Sequence, residues 1–235
     1  MIGVAVSGAA GRMGETVCTA VEGAEDMQLI ARADPQLGAS LSDALARKPE
    51  VVVDFSQPEA ALANALACLR AGAHVVIGTT GFDLDELSRQ AQAIAAERGQ
   101  AANVFVAPNF AIGAVLMMRF AAEASRYMAK AEIIELHHDR KLDAPSGTAA
   151  RTARLMAEAS GHGEPPIHSV RLPGLVASQE VILGDLAQTL AIRHDTIARE
   201  SFMPGVLLAI RRVGSLTESP LVGLERLLFE DRGGR

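Results

Sequence analysis

The sequence has 235 residues, of which 49% are hydrophobic, so it is long enough to bury one large core or two modest ones. The formal net charge of −6, together with the lack of a basic run or an aromatic stacking series, argues against a nucleic-acid partner. No apolar stretch supplies the roughly 20 uninterrupted residues of a bilayer span, and Met1 leads directly into a strand-like run. We therefore expect a cytoplasmic protein without a signal peptide.

Two cysteines, Cys18 and Cys68, lie in apolar helical patterns. Neither belongs to a Cys/His cluster with the spacing of metal ligands. We interpret both as packing residues and predict no metal site.

The chain up to Ala107 alternates β-branched runs with Ala- and Leu-rich helical patterns, which is typical of βαβ units and a parallel sheet. Right-handed crossovers would place the carboxyl ends of the strands, and any ligand, along one edge. The predicted strands are Ile2 to Ser7, Gln28 to Ala33, Val51 to Phe55, His74 to Ile77 and Val104 to Ala107. The predicted helices are Arg12 to Val21, Pro58 to Ala71 and Leu84 to Glu97.

After Pro108 the pattern changes, because strand-like runs follow one another without helices between them, which indicates a mixed or antiparallel sheet. The predicted helices here are Ala111 to Met128 and Gly147 to Ala159, and the strands are Glu132 to His138, Ile167 to Leu172, Glu180 to Leu183 and Thr189 to His194. We expect an α/β domain at 1–107 and a smaller α+β domain at 108–213. The segment 214–235, helical over Pro220 to Phe229, is expected to return to the first domain.

A glycine-rich turn, Gly8-Ala9-Ala10-Gly11-Arg12-Met13-Gly14, follows the first predicted strand and opens the first helix. This is a variant of the Rossmann fingerprint, in which glycines let the backbone approach a pyrophosphate at a helix start. An acidic residue is expected some 20 residues further on, at the end of the second strand, and Asp34 is there. The turn predicts NAD or NADP binding; the alternative is a glycine-rich turn without a ligand.

Asp34 would accept hydrogen bonds from an adenosine ribose and repel a 2′-phosphate, which favours NAD. Arg12 and Arg32 leave NADP open, since each guanidinium is a candidate partner for such a phosphate. Asp34 could also be a solvated turn residue before Pro35. Further cofactor contacts are predicted at two other strand ends, from Gly78, Thr79 and Thr80 and from Ala107, Pro108, Asn109 and Phe110.

The segment from Glu132 to Ala149 gathers several groups that bind anions. A strand delivers His137 and His138 to its end, a loop presents Lys141, and Ser146 fits the N-cap of a helix whose first-turn amides belong to Gly147 and Thr148. Cations beside free helix-end amides predict a pocket for a carboxylate-bearing substrate.

A histidine in such a pocket can supply the proton that a reductase needs after hydride addition. Because side chains alternate along a strand, we expect only one of His137 and His138 to face the reacting carbon. Both could instead be ordinary strand-end residues, and Lys141 a solvated charge. His74, His162 and His168 lack such neighbours and are interpreted as structural, while the role of His194 stays open.

These residues resemble the dihydrodipicolinate reductase (4-hydroxy-tetrahydrodipicolinate reductase) family, above all in the His-His-x-x-Lys-x-Asp-Ala-Pro-Ser-Gly-Thr run that begins at His137. The resemblance implies reduction of a cyclic dicarboxylate by NADH or NADPH in lysine and diaminopimelate biosynthesis, and a homotetramer formed through the sheet of the second domain. It also implies that His137 donates the proton, His138 and Lys141 contact the substrate, and the amides of Gly147 and Thr148 hold its second carboxylate. The matching segments are Gly8 to Gly14, Asp54 to Glu59, Gly78 to Gly81, Ala107 to Gly113 and Glu135 to Thr148.

The sequence departs from the family near Ser178, where many relatives carry a histidine. Two other functions remain open. An amino acid dehydrogenase acting on aspartate would share the glycine turn without requiring the His137 to Thr148 run. A nicotinamide-sensing binding module would perform no catalysis. Against this alternative, the sequence has no recognisable DNA-binding helix pair.

Overall fold

A computed structural model describes residues 1–99 and 102–229. The strands, in chain order, are β1 Ile2–Ser7, β2 Met27–Ala33, β3 Val51–Asp54, β4 His74–Ile77, β5 Val104–Val106, β6 Lys130–His137, β7 Ile167–Arg171, β8 Ala177–Asp185, β9 Gln188–Thr196 and β10 Leu221–Val222. The helices are α1 Arg12–Glu22, α2 Leu41–Ala46, α3 Pro58–Ala71, α4 Leu84–Arg98, α5 Ile112–Ser125, α6 Gly147–Ser160, α7 Met203–Val213 and α8 Leu224–Phe229. Short 3-10 turns lie at Pro35–Leu37 and Arg199–Phe202.

The chain divides into two compact units, one formed by Met1–Phe110 with the residues from Phe202 onward, the other by Ala111–Ser201. The first unit contains a parallel sheet in the order β10-β5-β4-β3-β1-β2. Its central strands β3 and β4 each contain three consecutive buried β-branched residues, as expected of strands covered by helices on both faces. This is the Rossmann-type fold that the sequence predicted.

Helices begin in this unit where the sequence provides start signals. Pro58 occupies the first turn of α3, where a missing N–H costs no hydrogen bond. Asp83 caps α4 by accepting from the amide of Glu86. Buried residues of α3 and α4, such as Leu69 and Leu87, pack with the central strands in one apolar core.

The second unit is built on a four-stranded mixed sheet in the order β7-β6-β8-β9. β6 is parallel to β7 and antiparallel to β8, and β8 forms a hairpin with β9. Buried Ile133, Val181 and Leu183 pack on one face of the sheet with Ala121 of α5 and Met156 of α6. Residues of this sheet that point the other way, including Ile134 and Ile182, are only half-buried. The mixed sheet agrees with the sequence prediction.

Several boundaries differ from those predicted. The units separate after Phe110 and after Ser201, whereas the sequence placed the separations after 107 and 213. The difference is helix α7, which the sequence did not predict and which belongs to the first unit. The helix predicted over Pro220 to Phe229 is wrong at its start, because Leu221 and Val222 pair with β5 as a strand. Residues 230–235, the end of the predicted C-terminal segment, lie outside the described residues.

The described helices include none with the length and apolarity needed to cross a bilayer.

Candidate active site

The predicted cofactor turn connects β1 to α1 in the first unit. Gly8 has φ +76°, and a Cβ built on it would lie 2.6 Å from the carbonyl oxygen of Phe55. A Cβ on Gly14 would lie 2.0 Å from the carbonyl oxygen of Gly8. Only glycine fits these positions. The N-cap residue of α1 is also a glycine, Gly11, so no capping side chain bonds to the amides of the first turn. The turn therefore fits a dinucleotide pyrophosphate, which would meet the N–H groups at the start of α1.

Asp34 lies at the end of β2 and is 8% exposed. Its carboxylate accepts hydrogen bonds from the amide of Ala10 at 3.1 Å and from the amide of Gln36 at 2.8 Å. The acidic residue is thus bonded to the glycine turn itself, which places it beside the cofactor turn as the fingerprint requires.

The two arginines considered for a 2′-phosphate are placed differently. Arg32 forms an ion pair at 2.8 Å with Glu22, the last residue of α1, and so points away from the end of the helix where the glycine turn lies. Arg12 is exposed at the first position of α1, next to the turn. Of these two residues, Arg12 is the one that lies next to the glycine turn.

The other predicted cofactor contacts follow β4 and β5 on the same edge of the sheet. Gly78 packs under the ring of Phe55, where a Cβ would lie 2.1 Å from a ring carbon. Thr79 is buried and donates to the carbonyl oxygen of Ser56 at 2.9 Å, whereas Thr80 is exposed.

Ala107 to Phe110 extend β5. The amide of Ala107 donates to the carbonyl oxygen of Ile77, and Pro108 is exposed, whereas Asn109 is half-buried. The ring of Phe110 is buried between Phe55 and Phe105 at centroid distances of 5.9 and 6.1 Å. Phe110 therefore contributes its side chain to the core, so a cofactor contact from it would come from the backbone.

A polar network at the end of β3 was missed by the sequence analysis. The buried carboxylate of Asp54 accepts from the amide and hydroxyl of Ser56 at 2.9 and 2.6 Å, and from the side-chain amide of Asn64 at 2.8 Å. Asn64 also reaches the hydroxyl of Ser7 at 3.3 Å. These bonds fix the loop on which Gly8 packs. Asp54 could have been singled out from the sequence, because it is an acidic residue at a strand end. Its partner Asn64 on α3 could not.

The candidate substrate groups lie in the second unit, at the end of β6 and the start of α6. His137 is the last residue of β6 and is half-buried, whereas His138 follows the strand and is exposed. Ser146 caps α6 by accepting from the amide of Ala149 at 3.2 Å, as predicted from the sequence. Gly147 and Thr148 form the first turn of this 14-residue helix, so their amides lie at its positive end.

Lys141 lies in the loop between these two elements. Its ammonium group pairs with both carboxylate oxygens of Asp143 at 2.8 and 2.7 Å. The Asp143 side chain is 63% exposed, so this contact is an accessible ion pair of modest strength. A substrate carboxylate can therefore compete with Asp143 for the ammonium group.

Glu135, which the sequence analysis did not single out, lies directly behind His137. The carboxylate is 0% exposed, accepts from Nη1 and Nη2 of Arg171 at 2.9 and 2.7 Å, and lies 2.5 Å from Nδ1 of His137. The amide of Ser146 donates to it at 3.3 Å. Burial raises the pKa of Glu135, but the hydrogen bonds from Arg171, Ser169 and His137 outweigh it and bring the pKa to about 2.

The pKa of His137 is held below its ordinary value, mainly by burial. The hydrogen bond to Glu135 and its negative charge oppose this, and the charges of Lys141 and Arg171 add to it. In the ligand-free protein His137 is therefore biased toward neutral imidazole at neutral pH. Negative charge brought by a substrate would oppose that bias.

Three of the remaining histidines make side-chain contacts outside this group, whereas the side chain of His162 is exposed. His74 accepts from the amide of Asn103 at 2.9 Å, and exposed His168 pairs with Glu132. The ring of His194 occupies the space beside Gly113 of α5, where a Cβ would lie 2.5 Å from a ring carbon. His194, left open by the sequence, is thus a packing residue between β9 and α5.

Two further sequence observations have structural counterparts. Gln179, next to the Ser178 departure, is buried and donates to the hydroxyl of Thr152 on α6 at 2.8 Å.

Cys18 and Cys68 are buried free thiols, and burial raises the pKa of Cys68 to about 12. Among the described residues, His, Cys, Asp and Glu form no group of three or more that could hold a metal ion.

A Rossmann-type unit with a glycine turn and a second unit with a strand-end histidine define the chain as a nicotinamide-dependent oxidoreductase. Family models then identify it further: that for the N-terminus of dihydrodipicolinate reductase matches residues 2–110, and that for the C-terminus matches residues 113–228. The chain belongs to the dihydrodipicolinate reductase family. Its cofactor is NAD or NADP, in reduced form as the hydride donor.

The sequences of relatives match this chain over almost its whole length. Curated 4-hydroxy-tetrahydrodipicolinate reductases from Mycolicibacterium smegmatis and Thermobifida fusca are each 46% identical, covering 96% and 97% of this chain and 98% and 99% of their own. A solved structure of dipicolinate-bound dihydrodipicolinate reductase from Paenisporosarcina sp. TG-14 is 37% identical, with a TM-score of 0.82, and covers 96% of this chain and 99% of that one.

Proposed function

We propose that the protein reduces 4-hydroxy-tetrahydrodipicolinate, or its dehydrated form, to tetrahydrodipicolinate with NADH or NADPH, in the biosynthesis of diaminopimelate and lysine. The observation that carries the proposal is the segment from His137 to Thr148, which combines a histidine, a lysine and a helix start within one unit. Family membership and the names of the relatives support the same reaction. Such a biosynthetic role is consistent with a cytoplasmic location.

His137 is the proposed proton donor. The dehydrated form is reduced when a hydride, supplied by the reduced nicotinamide, and a proton add across one double bond. The 4-hydroxy form must in addition lose its hydroxyl group as water. His137 delivers that proton from Nε2, keeping the electron pair of the broken N–H bond, because Nδ1 faces Glu135. His138, exposed just beyond the strand, is a proposed substrate contact.

The two carboxylates of the substrate are assigned to two groups. Lys141 binds one of them in place of Asp143. The amides of Gly147 and Thr148 bind the other at the start of α6, where the helix dipole favours negative charge. A planar relative, pyridine-2,6-dicarboxylate, carries the same two charges.

The cofactor is assigned to the first unit, which we propose is the dinucleotide-binding domain. Asp34 binds the adenosine ribose and disfavours a 2′-phosphate, so NADH is at least as good a donor as NADPH. The pyrophosphate lies along the turn, and the nicotinamide end lies along the edge formed by the two other strand ends. The contacting residues are Gly8, Ala9, Ala10, Gly11, Arg12, Met13, Gly78, Thr79, Thr80, Ala107, Pro108, Asn109 and Phe110.

The second unit is the proposed substrate-binding and oligomerisation domain, and the protein a homotetramer. The sheet face opposite α5 and α6 carries half-buried apolar residues, among them Ile134, Leu136 and Ile182, which a second copy of the chain would cover. Sedimentation velocity distinguishes a tetramer from a monomer of 24.6 kDa. A monomer at micromolar concentration would contradict this assignment.

The function is tested by following NADH and NADPH oxidation with enzymatically generated substrate. Turnover with both cofactors is expected. Turnover with aspartate and NAD, without turnover of the cyclic substrate, would instead identify an amino acid dehydrogenase. Cofactor binding without turnover of either would identify a sensing module.

A further inference from the structure

The buried Glu135 carboxylate determines which nitrogen of His137 can act on a substrate. Glu135 precedes His137 by two residues on β6, so both side chains project from the same face of the sheet. An ionised carboxylate can only accept hydrogen bonds, so Nδ1 of His137 must carry a hydrogen where it meets Glu135. The nitrogen that gains and loses a proton is therefore Nε2.

Glu135 has two effects on His137, one on its pKa and one on the orientation of its ring. Two nitrogens of Arg171 neutralise the carboxylate from β7, and the positive charge of Lys141 also acts on the ring from the following loop. Glu135 raises the pKa of His137 through its hydrogen bond and its charge, but burial outweighs it and the net pKa stays below the ordinary value. The hydrogen bond at Nδ1 also fixes the orientation of the ring.

Arg171 extends the same network to the loop that carries Lys141. Its Nη2 donates to the backbone carbonyl of Asp143 at 2.8 Å as well as to Glu135. Glu135 in turn accepts from the amide of Ser146, the cap of α6. The ion pair of buried Glu135 with half-buried Arg171 thus joins the histidine, the lysine loop and the helix start.

We propose that Glu135, fixed by Arg171, is a positioning residue that holds Nδ1–H of His137 and directs Nε2 toward the substrate. The expected effect on kcat rests on the proposed function, whereas the expected tautomer and orientation of His137 do not. An uncompensated buried carboxylate would be strongly unfavourable, so Glu135 depends on Arg171 to stay ionised at this position. The hydrogen bond that one ring nitrogen makes sets which nitrogen of a histidine carries the proton.

The first test is NMR of the protein labelled with ¹⁵N in its histidine rings, with His137 assigned from the spectrum of His137→Gln. In the wild type, neutral His137 should be the Nδ1–H tautomer. In Glu135→Gln the amide group can donate to Nδ1, so the Nε2–H tautomer should gain population. A wild-type His137 with hydrogen on Nε2 in its neutral form overturns the proposal, whatever the enzyme catalyses.

The second test is a double-mutant cycle in the reductase assay. Glu135→Gln should lower kcat by about 10- to 100-fold. KM should change little, because Arg171 keeps its hydrogen bond to the backbone carbonyl of Asp143 and so still holds the loop that carries Lys141. In the His137→Gln background the same substitution should have no further effect. An equal loss in both backgrounds would mean that Glu135 only supports the fold, and would refute positioning.

Two further variants complete the design. Glu135→Asp replaces Glu135→Gln as the test if the latter does not fold. It keeps the charge for Arg171 but withdraws the carboxylate by about 1.5 Å, the length of one carbon–carbon bond, so an intermediate loss of kcat is expected. Glu132→Gln is the matched control, because Glu132 is an exposed carboxylate of the same strand that pairs with His168. It should leave kcat and the His137 tautomer unchanged. If the wild type shows no turnover, the proposed function fails while the tautomer spectra still decide the positioning.

Discussion

The stability of the second unit should depend on pH through Glu135. The pKa of this carboxyl is about 2 in the folded protein, against 4.5 for an unperturbed glutamate. Because the folded-state pKa is the lower one, the ionised group stabilises the fold above about pH 4.5, and this stabilisation is lost as pH falls toward 2. The difference between these two pKa values corresponds to about 3 kcal/mol at neutral pH, of which about 2 kcal/mol is lost by about pH 3.

Glu135→Gln should therefore have two effects. At neutral pH it should destabilise the unit by about 3 to 5 kcal/mol, because Arg171 loses its carboxylate partner. Because glutamine does not titrate and arginine stays charged, the variant lacks this pH dependence. It should lose about 2 kcal/mol less than the wild type between about pH 7 and 3, so the difference in stability between the two proteins narrows.

Native-state hydrogen exchange of the β6 amides measures the opening free energy of this unit in both proteins. The control is Glu132→Gln, which removes a carboxylate that is 62% exposed and should follow the wild-type pH dependence. Parallel pH curves for the wild type and Glu135→Gln would refute the reasoning, because Glu135 would then titrate alike in the folded and unfolded chain.

Three other predictions concern the proposed site. Asp34→Ser should shift the ratio of kcat/KM values toward NADPH, and an unchanged ratio would remove Asp34 as the ribose ligand. Lys141→Ala should weaken binding of pyridine-2,6-dicarboxylate in calorimetry and raise KM for the substrate; full retained affinity would contradict the carboxylate assignment. Burial, together with the charges of Lys141 and Arg171, lowers the pKa of His137 in the free protein, whereas the arriving dicarboxylate favours imidazolium. The acid pKa should therefore be higher in the kcat profile than in the kcat/KM profile, and the reverse order would contradict this reading.

The first sheet could be predicted largely from the sequence, because its signals are local. The helix α3 was predicted with its observed bounds, Pro58–Ala71, from a proline start and a regular apolar pattern. Helix α7 was not, since Pro204 and Gly205 are normally helix breakers. In the structure Pro204 lies in the first turn, and a Cβ on Gly205 would lie 2.1 Å from the carbonyl oxygen of Phe110. The glycine permits close packing that only the fold reveals.

The residues of the candidate site could likewise be predicted only in part from the sequence. His137, Lys141 and the α6 start lie within twelve consecutive residues, so their proximity could be inferred from the chain itself. Glu135 appeared only as one more residue in an alternating strand. Its partner Arg171 is 36 residues away and is brought beside it by the parallel register of β6 and β7, in which His137 pairs with Arg171. Such long-range pairing leaves no local pattern in the sequence.

The most direct test of the account is kcat of His137→Gln relative to the wild type, measured with NADH and enzymatically generated substrate over about pH 6 to 9, where a histidine acid should matter. Removal of the proton donor should lower kcat by about 10²- to 10⁴-fold with little change in KM. A His137→Gln enzyme that keeps a near-normal kcat across this range would exclude His137 as the proton donor and leave His138 as the candidate.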